Sequence, residues 1–138
     1  MLTRSIVALL TFSVCSALPA ISTAEGTPPQ CTLAERRVLA VEPYRIDTRV
    51  GYGDVYETRG AQLYIQAEPG LTAAWLQLVL RRDLAAAGAS SCALLSGDTR
   101  IEVVSVGPGY WVQLIASDAK SGEALLRRAR QIVHEQRG

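Results

Sequence analysis

The chain has 138 residues, of which 49% are hydrophobic and 20% are charged, and its formal net charge is +1. This length allows one domain. Charge so close to neutral excludes a general electrostatic attraction to nucleic acid or to anionic lipid.

Residues 1–24 are predicted to be a secretory signal peptide. A positively charged start precedes the mainly apolar run Ile6–Leu18, and small residues precede a cleavage site after Ala24. The apolar run is shorter than the roughly 20 residues that a membrane span needs. We therefore expect a periplasmic or secreted protein with no stable membrane span after cleavage. Lipidation of Cys15 is an open alternative, although the preceding residue is not small.

Cys31 and Cys92 are the two cysteines that remain after cleavage. Two cysteines in a small exported domain most simply form a disulfide. A disulfide that closes the loop of about 60 residues between them would stabilise the folded state by about 4 kcal/mol in the chain-entropy model. A redox pair usually has its cysteines close in sequence, and a zinc site needs about four ligands, whereas His134 is the single histidine. The sequence thus predicts a disulfide, no metal site and no cofactor, with thiol or metal chemistry as a weaker alternative.

The first half of the mature chain reads as a leader followed by strands. Residues 25–37, which carry Gly26, Pro28 and Pro29 near their start, predict an extended leader that Cys31 attaches to the domain. Tyr44–Val50 alternates between the two faces of a strand, turn residues follow at Gly51–Asp54, and Ala61–Ala67 alternates again. Residues 38–67 therefore predict a meander of two or three antiparallel strands.

A helix is predicted over Ala73–Ala87. Thr72 is a suitable N-cap, and Gly88 can end the helix in the left-handed conformation. A broad arc of its surface is apolar, carried by Trp75, Leu76, Val79, Leu80 and Leu84. Such a broad arc favours a helix that lies across a sheet.

The second half predicts a hairpin and a final helix. Ile101–Ala116 is rich in β-branched and aromatic residues around a Gly-Pro-Gly turn. The final helix has Ser117 or Asp118 as its candidate N-cap and runs to about Glu135. Residues 38–138 are thus predicted to form one α+β domain in β-β-α-β-β-α order. The expected fold is a two-layer sandwich, with an antiparallel sheet of about four to five strands, two helices on one face and a ferredoxin-like arrangement as the candidate topology.

Motifs for catalysis are weak in this sequence. It contains no Gly-x-Ser-x-Gly elbow and no glycine-rich phosphate loop that opens a helix. Asp47, Glu57 and Glu68 lie near the first strands, where salt-bridged or solvated carboxylates are the more common interpretation. We predict no catalytic residue. A small hydrolase or isomerase built on these carboxylates and on tyrosines is the alternative, and it requires a concave pocket around them.

Aromatic residues on strands and turns are the candidate binding surface. Tyrosine and tryptophan bury large rings while keeping a polar tip, which favours them at binding surfaces. The candidates are Tyr52, Tyr56, Tyr64, Tyr110 and Trp111. The predicted function is a non-enzymatic binding or accessory module of the cell envelope. Its expected partner is an envelope protein or a cell-wall component, and nucleic acid is not expected.

One segment resembles a known family. The strand Tyr110–Ser117, which reads YWVQLIAS, and a helix carrying Ala124–Leu126 resemble the opening strand and helix of SPOR domains, which bind peptidoglycan. The resemblance covers about one sixth of the chain. A SPOR domain continues with a strand–strand–helix–strand half, which does not follow this helix in the sequence, so no family is assigned.

Overall fold

A computed structural model describes residues 31–86, 92, 94–96 and 98–138, so the predicted signal peptide and most of the predicted leader lie outside the described residues. The elements are α1 (Thr32–Glu35), β1 (Val38–Val50), β2 (Gly53–Gln66), α2 (Ala73–Ala85), β3 (Arg100–Val106), β4 (Gly109–Ile115) and α3 (Ala119–Arg137). In this part of the chain, no helix has the length and apolar composition needed to cross a membrane.

The four strands form one sheet in the order β1-β2-β4-β3, and every neighbouring pair is antiparallel. β2 and β3 are consequently parallel to each other with β4 between them, and α2 connects them in a split β-α-β unit. This is the strand order of a ferredoxin-like sheet in which the outer strand β1 precedes the other strands. The predicted antiparallel α+β fold, with two helices packed on the sheet, is confirmed.

The beginning and the end of the described domain lie side by side. The Gln136 side-chain amide donates to the carbonyl oxygens of Ala34 and Arg36, at 3.1 and 3.0 Å. Its oxygen accepts from the backbone N–H of Val38 at 3.3 Å. The end of α3 thus lies beside the start of β1. If the fold is traced from β4 and this gap in the chain is crossed, the elements follow one another in the order β4, α3, β1, β2, α2 and β3.

The hydrophobic core fills the space between the sheet and the helices. In the strand register, Leu63 lies opposite Val112, and Leu114 lies opposite both Ala61 and Ile101. Since directly opposed residues share a face, these strands bury one common face. The helices cover it with Leu76, Leu80, Leu125, Leu126, Ala129 and Val133.

Gly122 sets the distance between α3 and the sheet. A Cβ atom at this position would lie 2.6 Å from the carbonyl carbon of Arg59 and 2.8 Å from the nitrogen of Gly60. The helix therefore contacts the backbone of β2 directly, through a residue that has no side chain.

Side chains cap both long helices. The Thr72 hydroxyl accepts from the Trp75 N–H at 3.2 Å at the start of α2, as predicted. Of the two candidates for α3, Asp118 is the N-cap, and its carboxylate accepts from the Ser121 backbone N–H at 2.9 Å. That hydrogen bond, reinforced by the Ser121 hydroxyl, lowers the pKa of Asp118 below its usual value of 3.8.

The outer edge of β3 is covered by a side chain of α2. The Gln77 amide nitrogen donates to the carbonyl of Ile101 at 3.3 Å, and its oxygen accepts from the Val103 N–H at 3.4 Å. An exposed edge would offer these groups to another strand. Gln77 thus occupies part of this edge in place of a further strand.

The described end of the predicted leader differs from the expectation. Residues 32–35 form a short helix rather than an extended segment, and Leu33 is fully buried in the core. The buried carboxylate of Asp83 accepts from the Thr32 N–H at 3.1 Å, which satisfies an amide at the start of α1. The domain therefore begins before residue 38, because an apolar side chain and a helix cap anchor this segment.

Two strands rather than three occupy the first meander. β1 continues through Pro43, which is tolerated because β1 is the outer strand of the sheet. β2 is continuous from the Gly53 turn to Gln66, with a register shift opposite Tyr44 and Arg45. The predicted helix end at Gly88 lies outside the described residues.

Candidate binding surface

Among the described residues, no helix packs on one face of the sheet, and we call this face the open face. Tyr64 and Trp111 belong to it, because they alternate with the buried Leu63 and Val112 on the same strands. Each strand contributes one member of every row that crosses this face. The rows can therefore be followed through the register of the four strands.

An aromatic pair lies on the open face, across its two inner strands. Tyr64 on β2 is directly opposite Trp111 on β4, with ring centroids 5.2 Å apart and the rings tilted by 53°. Both residues are half-buried. A Cβ atom on Gly109 would lie 2.7 Å from the Tyr64 ring, so the glycine leaves room for this ring to lie against the sheet.

Apolar residues extend the aromatic row toward both edges. Ala40 on β1 is opposite Tyr64, and Val104 on β3 is opposite Trp111. Val104 and Val106 are 44% and 40% exposed, so their apolar surface is available beside the rings. The row thus forms a strip that crosses the whole width of the sheet.

A polar row runs parallel to the aromatic row. Glu42, Gln62, Gln113 and Glu102 lie opposite one another across β1, β2, β4 and β3. Opposed Cβ atoms in such rows are about 5 Å apart. Two amides flanked by two carboxylates offer both hydrogen-bond donors and acceptors to a ligand that lies on the rings.

A shallow cleft of about 340 Å³ follows the polar row at one end of the open face. Its lining includes Tyr44, Ile115, Arg100 and Arg59. Arg59 is held in place, since its Nε donates to Glu57 at 2.8 Å and its guanidinium also donates to a backbone carbonyl. The cleft therefore combines apolar walls with one positive charge that is held in place.

The structure brings together two of the five predicted surface residues. Tyr64 and Trp111 share the open face. Tyr110 lies on the helix-covered face, where its hydroxyl donates to the carbonyl of Leu71 at 2.7 Å. Tyr52 and Tyr56 are exposed on the distal part of the β1–β2 hairpin, away from the pair. The sequence does not predict the polar row, because its members come from four separate strands and local sequence does not determine the order of the strands.

The three carboxylates of the enzymatic alternative do not form a site together. Glu57 lies nine residues before Gln66, which is the last residue of β2, and Glu68 lies beyond Gln66. Glu57 and Glu68 are therefore roughly 30 Å apart along the strand. Glu68 forms an ion pair with Arg36. Asp47 and Glu57 lie on opposite faces of the hairpin, because Asp47 is opposite Tyr56 while Glu57 is opposite Ile46.

The predicted disulfide between Cys31 and Cys92 is confirmed. The sulfur atoms are 2.04 Å apart, the Cα atoms are 4.7 Å apart, and both residues are buried. Both sulfurs are therefore used in one covalent bond, which fits an oxidising compartment outside the cytoplasm. Within the described ranges, no three His, Cys, Asp or Glu side chains are grouped to hold a metal ion.

Comparison of the chain with family models, with curated proteins and with solved structures finds no match. No family and no activity is therefore carried over to this chain from a known protein.

Proposed function

We propose that this protein is an exported, non-enzymatic binding module of the cell envelope that holds a cell-wall glycan on its open face. The observation that carries the proposal is the Tyr64–Trp111 pair on the uncovered side of the sheet. Sugar rings present apolar C–H faces that pack on aromatic rings, and hydroxyl and acetamido groups that need hydrogen bonds. The row of amides and carboxylates beside the rings offers such hydrogen bonds.

Export is supported by the N-terminal sequence and by the disulfide. Residues 1–24 have the organisation of a signal peptide cleaved after Ala24. The intact mass of the exported protein, measured in denaturant with an alkylating reagent and no reductant, tests this point. We expect a chain that starts at Glu25 and carries neither lipid nor alkyl group. A lipid on Cys15 or two alkylated thiols would contradict it.

The arrangement of the elements in space supports peptidoglycan as the glycan. The segment that resembles the opening of a SPOR domain is β4 followed by α3. In space α3 leads to β1, β2, α2 and β3, which is a strand–strand–helix–strand series. The strand–strand–helix–strand half of a SPOR domain thus has a counterpart at the beginning of the described domain.

Co-sedimentation with purified peptidoglycan sacculi tests the proposal. Trp111→Ala and Tyr64→Ala should each weaken retention about tenfold, which corresponds to about 1.4 kcal/mol, the upper range of one aromatic contact. The matched control is Trp75→Ala, since Trp75 is 43% exposed on α2 and is the other tryptophan of the chain. Retention of the control should equal that of the wild-type protein.

Two readouts separate the glycan from the alternatives. Thermal unfolding must show that the open-face variants remain folded. Chromatography of the supernatant should detect no muropeptides released from the sacculi, whereas release that depends on Glu57 would favour the enzymatic alternative. If the wild-type protein does not bind sacculi but captures an envelope protein through Trp111, the ligand of the open face is a protein and not a glycan.

A further inference from the structure

The β1–β2 hairpin extends beyond the rest of the sheet. β4 pairs with β2 only from Gly60 to Gln66, whereas β1 and β2 pair with each other as far as Val50 and Gly53. Residues 45–58 therefore form a two-stranded arm. Its apolar residues Val55, Tyr56 and Tyr52 are exposed. A two-stranded hairpin is only marginally stable in water by itself, so a partner that pairs with the arm would stabilise it.

The edge of β1 along the arm has no neighbouring strand in the described part of the chain, because β1 is the outermost strand. Charges of alternating sign follow this edge on one face: Arg45, Asp47 and Arg49, all exposed. Arg49 is 3.9 Å from Asp54 on β2, and both side chains are well exposed. Among the described residues, Arg45 and Asp47 form no ion pair.

This alternation matches a second copy of the same strand running in the opposite direction. In an antiparallel pair centred on Thr48, Asp47 of each copy lies directly opposite Arg49 of the other. A two-fold axis repeats this contact, so the pairing contains two ion pairs. The paired segment also excludes Pro43, which has no N–H to donate. An edge with charges of a single sign would repel its own copy instead.

We propose that the protein forms a two-fold dimer in which the arm segments of two β1 strands pair in antiparallel register, with Asp47 opposite Arg49. The partner is a second copy of this chain. A two-fold axis perpendicular to the paired strands places the two open faces on the same side of the dimer. If the proposed function holds, one polymer can engage both faces and be retained by avidity.

Sedimentation equilibrium of residues 25–138 tests the dimer directly. The wild-type protein should change from monomer to dimer over a roughly hundredfold range of concentration, and added salt should weaken the association. Asp47→Arg places an arginine opposite Arg49 and should raise the dissociation constant at least about tenfold. The control Arg130→Asp changes an exposed charge on α3 and should leave the association unchanged.

A charge exchange distinguishes specific pairing from damage to the arm. The triple variant Asp47→Arg, Arg49→Asp and Asp54→Arg restores opposite charges between copies and across the hairpin, so its dimer should return. The inference would be overturned if the wild-type protein is monomeric at every concentration measured. This holds also if the arm is found to bind a different protein. A dimer unaffected by Asp47→Arg, or one not restored by the exchange, would also overturn it.

Binding measurements separate the dimer from the proposed function. Asp47→Arg should lower retention on sacculi while leaving affinity for a short soluble muropeptide unchanged. A wild-type dimer that binds no glycan would contradict the proposed function and leave the dimer intact. Equal retention of the wild-type dimer and the monomeric variant would contradict the avidity.

Discussion

Replacing Gly122 by alanine tests how closely α3 approaches the sheet. Two effects of this substitution have opposite signs. In an exposed helix, alanine is more favourable than glycine by about 1 kcal/mol. Here the new methyl group would meet three backbone atoms of Arg59 and Gly60, at 2.6, 2.7 and 2.8 Å. Backbone atoms of a central strand cannot rotate away as a flexible side chain can.

The steric effect should therefore exceed the gain in helix propensity. Overpacking a core typically costs about 1–3 kcal/mol, and contact with fixed backbone belongs in the upper part of this range. Subtracting the propensity gain leaves a net destabilisation of about 1–2 kcal/mol. For a domain of about 100 residues, each kcal/mol lowers Tm by about 4–8 °C.

Thermal and urea unfolding of the purified protein measure this difference. The matched control is Gly53→Ala, since a Cβ atom at Gly53 would contact nothing within 4 Å. We expect the control to change stability by less than about 0.5 kcal/mol. A Gly122→Ala protein as stable as the wild type, or more stable, would refute the direct contact between α3 and the backbone of β2.

Three further predictions concern the anchors of the domain. Replacing Cys31 and Cys92 together by serine should lower the free energy of unfolding by about 4 kcal/mol, because the disulfide constrains the unfolded chain. The wild-type and double-mutant melting curves should converge in reductant. A much smaller difference in unfolding free energy without reductant would contradict this constraint. Asp83→Ala should cost about 1–3 kcal/mol in urea unfolding because it leaves a buried amide of α1 without a partner, whereas an unchanged midpoint would show that this cap is dispensable. The carboxylate of Asp118 has a lowered pKa because Ser121 donates to it, so its stabilisation is present above the unfolded-state pKa and is lost as the pH falls through the folded-state pKa. Wild-type protein and Asp118→Ala should therefore differ most at neutral pH and converge in acid, and a constant difference would contradict this sign.

Periodicity was sufficient to predict most of the secondary structure. The alternation of Leu63 and Ile65 with Tyr64 depends on neighbouring residues alone, as do the Thr72 cap and the Gly107–Gly109 turn, and the structure has all of them. Local sequence contains this information because side-chain direction follows the period of each element.

The candidate surface depended on contacts that local sequence does not contain. Alternation places Tyr110 and Trp111 on opposite faces of the sheet, but it does not tell which face the helices cover. The sheet order decides that Gln62 lies beside Gln113, and this order arises from pairing between distant segments. The local sequence around Leu33 predicts a leader, because the burial of Leu33 depends on the distant Asp83 and on the disulfide.

Amide chemical-shift mapping of residues 25–138 with soluble peptidoglycan fragments tests the central claim most directly. We predict saturable shifts at Gln62, Tyr64, Trp111 and Gln113, including the indole N–H of Trp111, while Trp75 on α2 remains unchanged. Shifts confined to the helices, or a spectrum unchanged at saturating fragment, would contradict a glycan-binding open face.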